Sequence, residues 1–402
     1  MAGAFLGETV LSQPFGPVKV SALVAYQPMK KFMYILLSLI ATLAIGGTMF
    51  LAFAPQFGAS AHGQSRERIE KSKNYRDGKF QNLSPTPMMD ESPFLDKVKI
   101  FAKFIGGTEG ATPSDELPMV SLKPGDFTSP PAEGVKVTWF GHSAVLLEVN
   151  GLRIFADPML GKRASPVSFI GSKRFSDKLP IAIEDLPPLD VVLLSHDHYD
   201  HLDHGSILKL KAKTKHFFVP LGVAAHLVRW GVEASKITEL DWWETAQYQG
   251  LFLASTPARH FSGRGLKDRD QTLWCSWVLK SGDQSIFFGG DSGYDTHFKQ
   301  IGEKYGPFDL TMLECGQYNE AWRFIHMMPE QTAQAHLDLK GKTLMSTHWG
   351  AFSLALHHWK EPIERLSKAS QQHNIQLVTP LIGQRWSLQA ELPQTQWWKG
   401  VE

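Results

Sequence analysis

The longest uninterrupted apolar stretch lies near the amino end. Phe32 to Ala54 carries no charge, and apart from the phenol of Tyr34 only Ser38, Thr42 and Thr48 bear hydroxyls. At about 1.5 Å per residue, a helix of this length crosses roughly 30 Å of hydrocarbon. Beyond Gly134 the pattern changes period. Val135–Phe140 alternates apolar and polar positions, and the β-rich runs Val145–Val149 and Leu152–Ala156 flank Asn150-Gly151, a dipeptide that tolerates positive φ and suits a tight hairpin. Asp190–Leu194 reads as a strand buried on both faces. Further strands are predicted at Phe217–Val219, Leu251–Thr256, Leu273–Leu279, Ser285–Phe288, Leu310–Leu313 and Thr343–Ser346. Helical spacing marks Ser206–Lys213, Val223–Trp230, Pro329–Leu339 and Pro362–Ala369. Pro329 followed by Glu330 is good first-turn chemistry, since no needed N–H is lost and a negative charge meets the positive end. Hairpins first and strand–helix alternation afterwards argue for an α/β fold with sheets inside and helices outside.

Between the two patterned regions, residues 62–134 open with a charged run from Arg66 to Lys79 and are then punctuated by Pro85, Pro87, Pro93, Pro113, Pro118, Pro124, Pro130 and Pro131. Long regular elements should be scarce there. Within it, Leu95, Val98, Phe101, Ala102 and Ile105 predict one amphipathic helix over Phe94–Ile105. The chain therefore divides into an extension, 1–28, that precedes Met29 as an alternative start; a signal or transmembrane anchor, 29–61; a Pro-rich linker and wrapping segment, 62–134; and a catalytic domain, 135–402. Lys30 and Lys31 before the apolar stretch favour a cytoplasmic amino end, and Arg66, Arg68, Lys71 and Lys73 beyond it pull the other way. Ala59-Ser60-Ala61 is a small-residue site that would suit signal cleavage. A long core helix is the third reading of the stretch.

Composition removes several alternatives. Hydrophobic types make up 43% of the 402 residues, enough for a sizeable core. Lys plus Arg (41) balances Asp plus Glu (40), which takes away the main electrostatic reason to expect a nucleic-acid partner. Two cysteines, Cys275 and Cys315, exclude a disulfide-dense scaffold and a four-thiolate zinc site.

The strand ending at Leu194 runs into Ser195-His196-Asp197-His198-Tyr199-Asp200-His201. Buried polar groups need partners, and protonated histidines packed together repel one another. A divalent cation answers both difficulties, because neutral imidazoles and ionised carboxylates are its natural ligands. On a strand-end loop His196 and His198 can point together at one metal, while Asp200 and His201, in the next turn, can aim at a second. Asp197 then faces away in a hydrogen-bonding role, and His204 lies beyond the needed geometry. Three later positions put a His or Asp after an apolar strand: His260, Asp291 (behind Gly289-Gly290, which allow close backbone approach) and His348. Alone, each has a structural reading as a hydrogen-bonded histidine or a capping aspartate. The 196–201 cluster is what makes them candidate ligands.

His196-x-His198-x-Asp200-His201, followed by an isolated His, an isolated Asp and a final His, resembles the metallo-β-lactamase superfamily. Over roughly Leu122 to Ala369 the chain looks closest to its N-acyl-phosphatidylethanolamine phospholipase D-like branch, related to bacterial ascorbate-phosphate lactonases. The strings that carry this include Val137-Thr-Trp-Phe-Gly-His-Ser, Ala156-Asp-Pro, Gly171-Ser-Lys-Arg-Phe, Glu239-Leu-Asp-Trp-Trp-Glu and His348-Trp-Gly. The resemblance implies an αββα four-layer sandwich and two zinc ions, with iron or manganese suited to the same ligands. It implies His196, His198 and His260 on the first metal, Asp200, His201 and His348 on the second, and Asp291 bridging the two.

It also places His326 near the metals, to bind or protonate substrate, the alternative being a cap for the helix at Pro329. His142 is expected to orient a ligand or to be structural, and Arg259 to pair with phosphate or face solvent. Where relatives run Pro-Ile-Gly-Ala-Tyr, this chain has Glu314-Cys315-Gly316-Gln317-Tyr318. That departure puts Glu314, Cys315 and Tyr318 near the expected mouth. Phe324, Met327 and Met328 are expected there too, as soft apolar surface.

The resemblance and the ligand pattern together imply a metal-dependent hydrolase using a metal-bridging hydroxide with Asp291. The most specific expectation is a phospholipase D-type phosphodiesterase acting on N-acyl-phosphatidylethanolamine-like lipids, with a phospholipid or small anionic ester as substrate and a membrane as partner. A lactonase or amide hydrolase, and a membrane-anchored binding or envelope-organising protein with structural metals, are the alternatives. The expected location is the bacterial cell envelope, anchored in the inner membrane and facing the periplasm, or exported after cleavage.

Overall fold

The computed structural model of the chain describes residues 20–89, 98–100, 102–103 and 106–402. It separates into two units between Ala54 and Pro55. In the first unit one helix, α1, runs over Val20–Phe53, so it starts ahead of the apolar stretch and takes in part of the expected extension. Lys30–Phe53 within it is long and apolar enough to cross a membrane. Residues 1–19 of that extension, and most of the expected Phe94–Ile105 helix, lie outside the described residues; Val98–Ile100 is helical.

The second unit opens with α2 (Gly63–Lys71) and a small hairpin of β1 (Tyr75–Arg76) and β2 (Lys79–Phe80). The sheets begin with β3 (Val135–Trp139), β4 (Val145–Val149) and β5 (Leu152–Ala156), antiparallel to one another as the Asn150-Gly151 turn requires. A second small hairpin, β6 (Arg163–Ala164) with β7 (Ser172–Lys173), stands apart from them. Next come β8 (Leu189–Leu193), helix α3 (His204–Leu210), β9 (Thr214–Pro220), helix α4 (Ala224–Arg229) and β10 (Ile237–Leu240). The parallel run β5, β8, β9, β10 extends the antiparallel trio into one sheet.

The other sheet collects β11 (Thr245–Tyr248), β12 (Leu251–Thr256), β13 (Ser276–Ser281), β14 (Gln284–Phe288), β15 (Phe308–Glu314), β16 (Gly341–Thr347) and β17 (Gln376–Val378) in that order. The chain then returns with β18 (Arg385–Ser387) to close the first sheet beside β3. Each sheet has seven strands.

Side-chain alternation decides what each face meets. Val145, Leu147 and Val149 of β4, with Val191 and Leu193 of β8, enter one core shared with Leu253, Trp277, Leu279, Phe287 and Met312 of the second sheet. Leu146, Val192 and Leu194 point the other way, into a second core closed by Ile207 and Leu210 of α3 and Leu227 of α4. On the far side of the second sheet lie α5 (His297–Tyr305), α6 (Pro329–Asp338) and α7 (Glu361–Gln372). The result is an αββα sandwich of four layers.

Strand β13 starts at Ser276 and not at Leu273. The backbone N–H groups of Leu273 and Cys275 are donated to Leu221 and Ser195 of the other sheet's loops, which takes those residues out of the ladder.

Candidate metal centre

Loops at the carboxyl ends of β5, β8, β12, β14 and β16, together with the β3–β4 turn, meet along one rim between the two sheets. They bring His196, His198, His260 and Asp291 into one group of ligand atoms, and His142, Asp200, His201 and His348 into a second beside it. All seven residues named as ligands from the sequence therefore converge. His196 Nε2 lies 2.9 Å from His198 Nδ1, and His260 Nε2 lies 3.2 Å from that same atom. Asp291 Oδ2 is 3.7 Å from His260 Nε2, 3.8 Å from His196 Nε2 and 3.1 Å from His201 Nε2, while its Oδ1 is 2.8 Å from His348 Nδ1. Asp200 Oδ2 sits 3.6 Å from His201 Nε2 and 3.8 Å from His348 Nε2.

The outward nitrogens of three of these rings are fixed. His260 Nδ1 meets the Ile325 carbonyl at 2.9 Å, His201 Nδ1 meets Asp157 Oδ2 at 2.7 Å, and His196 Nδ1 meets Ser195 Oγ at 2.9 Å. Each Nε2 is thereby turned inward, the arrangement that metal-binding histidines take. His201 Nε2 and Asp291 Oδ1 are buried and make no hydrogen bond among the described residues. Nitrogen lone pairs facing one another with carboxylate oxygens between them form a donor set that fits a divalent cation.

The electrostatics agree. Burial, reinforced by the charges of neighbouring histidines, holds His196 well below the usual range, and burial does the same for His260. Burial would raise Asp200 and Asp291, but the facing histidines outweigh it and keep both carboxylates well below their usual range. Burial also disfavours a charged His201; Asp291, Asp200 and Asp157 overcome it and push that ring well above its usual range. A cation at Nε2 answers the same demand as that proton.

Above the ligands is a cavity of about 310 Å³ lined by Met88, Met89, Phe261, Trp322, Ile325 and Leu354, with His198, Asp200, Asp291, His326 and His348 at its base. His326 donates or shares its Nδ1 proton with Glu314 Oε2 at 2.7 Å, which leaves Nε2 for the cavity. Burial opposes charge on His326, yet Glu314 raises it to about 9.

Several expectations need correction. Glu314 and Cys315 are fully buried and do not line the mouth. Glu314 accepts from Ser292 N and Met327 N as well as pairing with His326, and burial pushes the Cys315 thiol up, away from nucleophilic use. Tyr318 turns its hydroxyl to Glu361 at 2.7 Å and stacks on His357. Arg259 is spent on the Pro85 carbonyl, Thr86 Oγ1 and the Tyr294 carbonyl, so it is not placed to meet phosphate. Met327 is in the core, and the soft apolar wall comes from Met88 and Met89.

Asp197 points away, accepting from Gly263 N, Thr272 Oγ1 and His226 Nε2. His204 packs on Trp230. His142 Nε2 sits 2.9 Å from Asp200 Oδ2, its ring 4.1 Å from that of His348.

Sequence reasoning missed Asp157 and Asn82. Asp157 Oδ1 accepts from Ser195 N and its Oδ2 from Ser195 Oγ and His201 Nδ1, so one carboxylate steadies ligands of both groups. The Ala156-Asp-Pro string after a strand was the available signal. Backbone conformation adds a second signal that no sequence pattern carries: His142, Asp157, Gln317 and His348 all have positive φ (53°, 40°, 63° and 64°). Non-glycine residues held this way concentrate at functional sites.

A sandwich of this topology with paired His/Asp clusters at its rim defines a metal-dependent hydrolase. Residues 152–349 match the Beta-lactamase superfamily domain. Over 339 residues the chain is 42% identical to a Mycobacterium tuberculosis protein whose name assigns no activity, covering 82% of this chain and 88% of that one. Over 266 residues it is 34% identical to the Caenorhabditis elegans N-acyl-phosphatidylethanolamine-hydrolyzing phospholipase D 1, covering 63% of this chain and 74% of that one. The chain belongs to the metallo-β-lactamase superfamily, whose members bind a dinuclear metal centre. An isothiocyanate hydrolase from Delia radicum gut bacteria shares the fold, with a TM-score of 0.50 at 22% identity over 63% of this chain and 99% of that one.

Proposed function

We propose that the protein is a dinuclear metallohydrolase of phospholipase D type, cleaving the phosphodiester of N-acyl-phosphatidylethanolamine-like lipids close to a membrane. The observation that carries this reading is the apolar-walled cavity ending on two adjoining His/Asp clusters. His196, His198 and His260 would hold one zinc, Asp200, His201 and His348 the other, with Asp291 between them; iron or manganese would suit the same atoms. When bound, such ions lower the pKa of water toward neutrality and absorb charge that develops on a substrate oxygen.

The chain's own residues do the rest. Asp157, Ser195 and the Ile325 carbonyl hold the inward face of three histidines. Glu314 aims His326 so that Nε2 faces the cavity, where it can hold or move a proton at the departing alcohol oxygen. Met88, Met89, Phe261, Trp322, Ile325 and Leu354 exclude water and offer acyl chains an adaptable surface. The apolar helix Lys30–Phe53 would keep the enzyme at the cell envelope, facing the periplasm, where a lipid substrate is at hand. The similarity to the worm phospholipase supports the lipid class.

Mass spectrometry of a lipid extract incubated with the zinc-loaded protein tests substrate and reaction together. Phosphatidic acid and N-acylethanolamine should appear from N-acylated phospholipid. No phosphatidic acid from any such lipid refutes the phospholipase assignment.

A further inference from the structure

The matched superfamily domain begins at residue 152, yet the segment Ser72–Met89, far ahead of it, reaches the site. Phe80 is buried in the main core and its N–H is donated to the Asp270 carbonyl at 2.8 Å. Asn82 comes next. Its Oδ1 accepts from His260 N at 3.0 Å, and its Nδ2 donates to the His260 carbonyl at 2.7 Å. A single side-chain amide thus does for His260 what the backbone of a neighbouring strand does inside a sheet. The same Oδ1 also accepts from Trp274 Nε1 at 3.1 Å. Further on, Pro85 and Thr86 hold the guanidinium of Arg259, the residue before His260, at 2.6 and 3.0 Å. Met88 and Met89 then stand in the cavity wall with His198, Asp200 and Asp291.

We infer that this segment is a working part of the active site, in which Asn82 is a positioning residue for His260 and Met88 with Met89 sets selectivity for the apolar part of the substrate. The inference rests on the metallohydrolase reading. With its backbone clasped by Asn82 and its Nδ1 engaged by the Ile325 carbonyl, His260 keeps no freedom except to present Nε2 to His196, His198 and Asp291. The second group, His142, Asp200, His201 and His348, has no bond to Asn82 among the described residues. Loss of Asn82 should therefore loosen one metal and spare the other. Removing an outer partner of a metal ligand commonly costs about 10- to 100-fold in affinity.

The test titrates zinc into the metal-free full chain in detergent against a competing chelator. In Asn82→Ala, one of two equivalents should weaken about 10- to 100-fold while the other keeps its wild-type affinity. Asn82→Asp, isosteric and able to keep both accepted bonds, replaces the bond to the His260 carbonyl by repulsion between oxygens, and should weaken the same single equivalent if the alanine variant does not fold. Separately, Met88→Ala/Met89→Ala should leave both zinc affinities unchanged while lowering kcat/KM for long-chain relative to short-chain phosphodiesters. Wild-type affinity at both zinc equivalents in a folded Asn82 variant overturns the positioning role, and an unchanged chain-length ratio overturns the selectivity role. A wild-type chain that takes up neither zinc nor iron nor manganese refutes the metal reading itself, and this inference with it.

Discussion

Asp157→Asn isolates the contribution of one buried carboxylate to the whole site. Asp157 is 0% exposed and receives three hydrogen bonds, from Ser195 N at 2.7 Å, Ser195 Oγ at 2.6 Å and His201 Nδ1 at 2.7 Å. Its φ of +40° would penalise most side chains by about 1–2 kcal/mol, but asparagine tolerates that region, so the substitution changes chemistry and leaves the backbone alone. The amide has one oxygen. If it keeps the Ser195 N–H, its NH₂ group faces His201 Nδ1–H, and two donors meet head on. Losing a charge-assisted bond and stranding a buried donor should cost the metal-free protein about 3 kcal/mol. Metal retention should fall about 10- to 100-fold, or about 1.4–2.8 kcal/mol, because His201 and, through Ser195, His196 lose their orientation. Urea unfolding of the metal-free chain gives the first figure and zinc competition with a chelator the second. Asp157→Ala should be worse than Asn in both, by the added backbone strain. An Asn variant matching wild type in both measurements would refute the argument that this carboxylate organises the ligands.

Other expectations are shorter to state. Asp291→Asn should reduce phosphodiester turnover about 10³-fold or more and lower the bound zinc; full turnover would remove Asp291 from the centre. Gly290→Ala should destabilise by about 2–4 kcal/mol in urea, because φ is +59° and the new Cβ would stand 2.6 Å from Ser195 Cβ; unchanged stability means the loop gives way. For Asp197, burial alone would raise the carboxyl, but the bond to His226 and the charges around it keep the carboxyl well below its usual range. Its stabilising effect is present above the unfolded pKa of about 3.9 and lost as pH falls toward the folded value. The stability gap between wild type and Asp197→Asn should therefore be flat above pH about 5 and shrink below about 4; a gap that widens in acid contradicts the assignment.

Much of the framework was written in local pattern. The β-rich runs on either side of Asn150-Gly151 announced the β4–β5 hairpin, but which face of β4 meets the other sheet was not legible, because Leu146 is as apolar as Val145 and Leu147 and is buried on the opposite face. Helix α5 escaped that pattern: Phe298, Ile301, Gly302 and Tyr305 keep helical spacing, but its brevity and its polar intervening residues concealed it. Strand β18 was not legible: three residues, Arg385–Ser387, are a strand only because β3 offers them an edge. In the site, the 196–201 spacing announced metal chemistry, and strand ends located His260, Asp291 and His348. Partners distant in sequence remained hidden. Nothing near Asn82 signals a histidine 178 positions later, and Glu314, expected near the mouth, lies buried against His326 instead.

The candidate ligands come from both halves of the sandwich: His196, His198, Asp200 and His201 follow a strand of the first sheet, while His260, Asp291 and His348 follow strands of the second. Ions seated there would act as rivets through an otherwise oily seam, where side-chain packing alone resists splaying at the open end. The lifetime of the folded enzyme would then follow the metal supply of its compartment, and starvation for the ion would erode the amount of protein as well as its turnover.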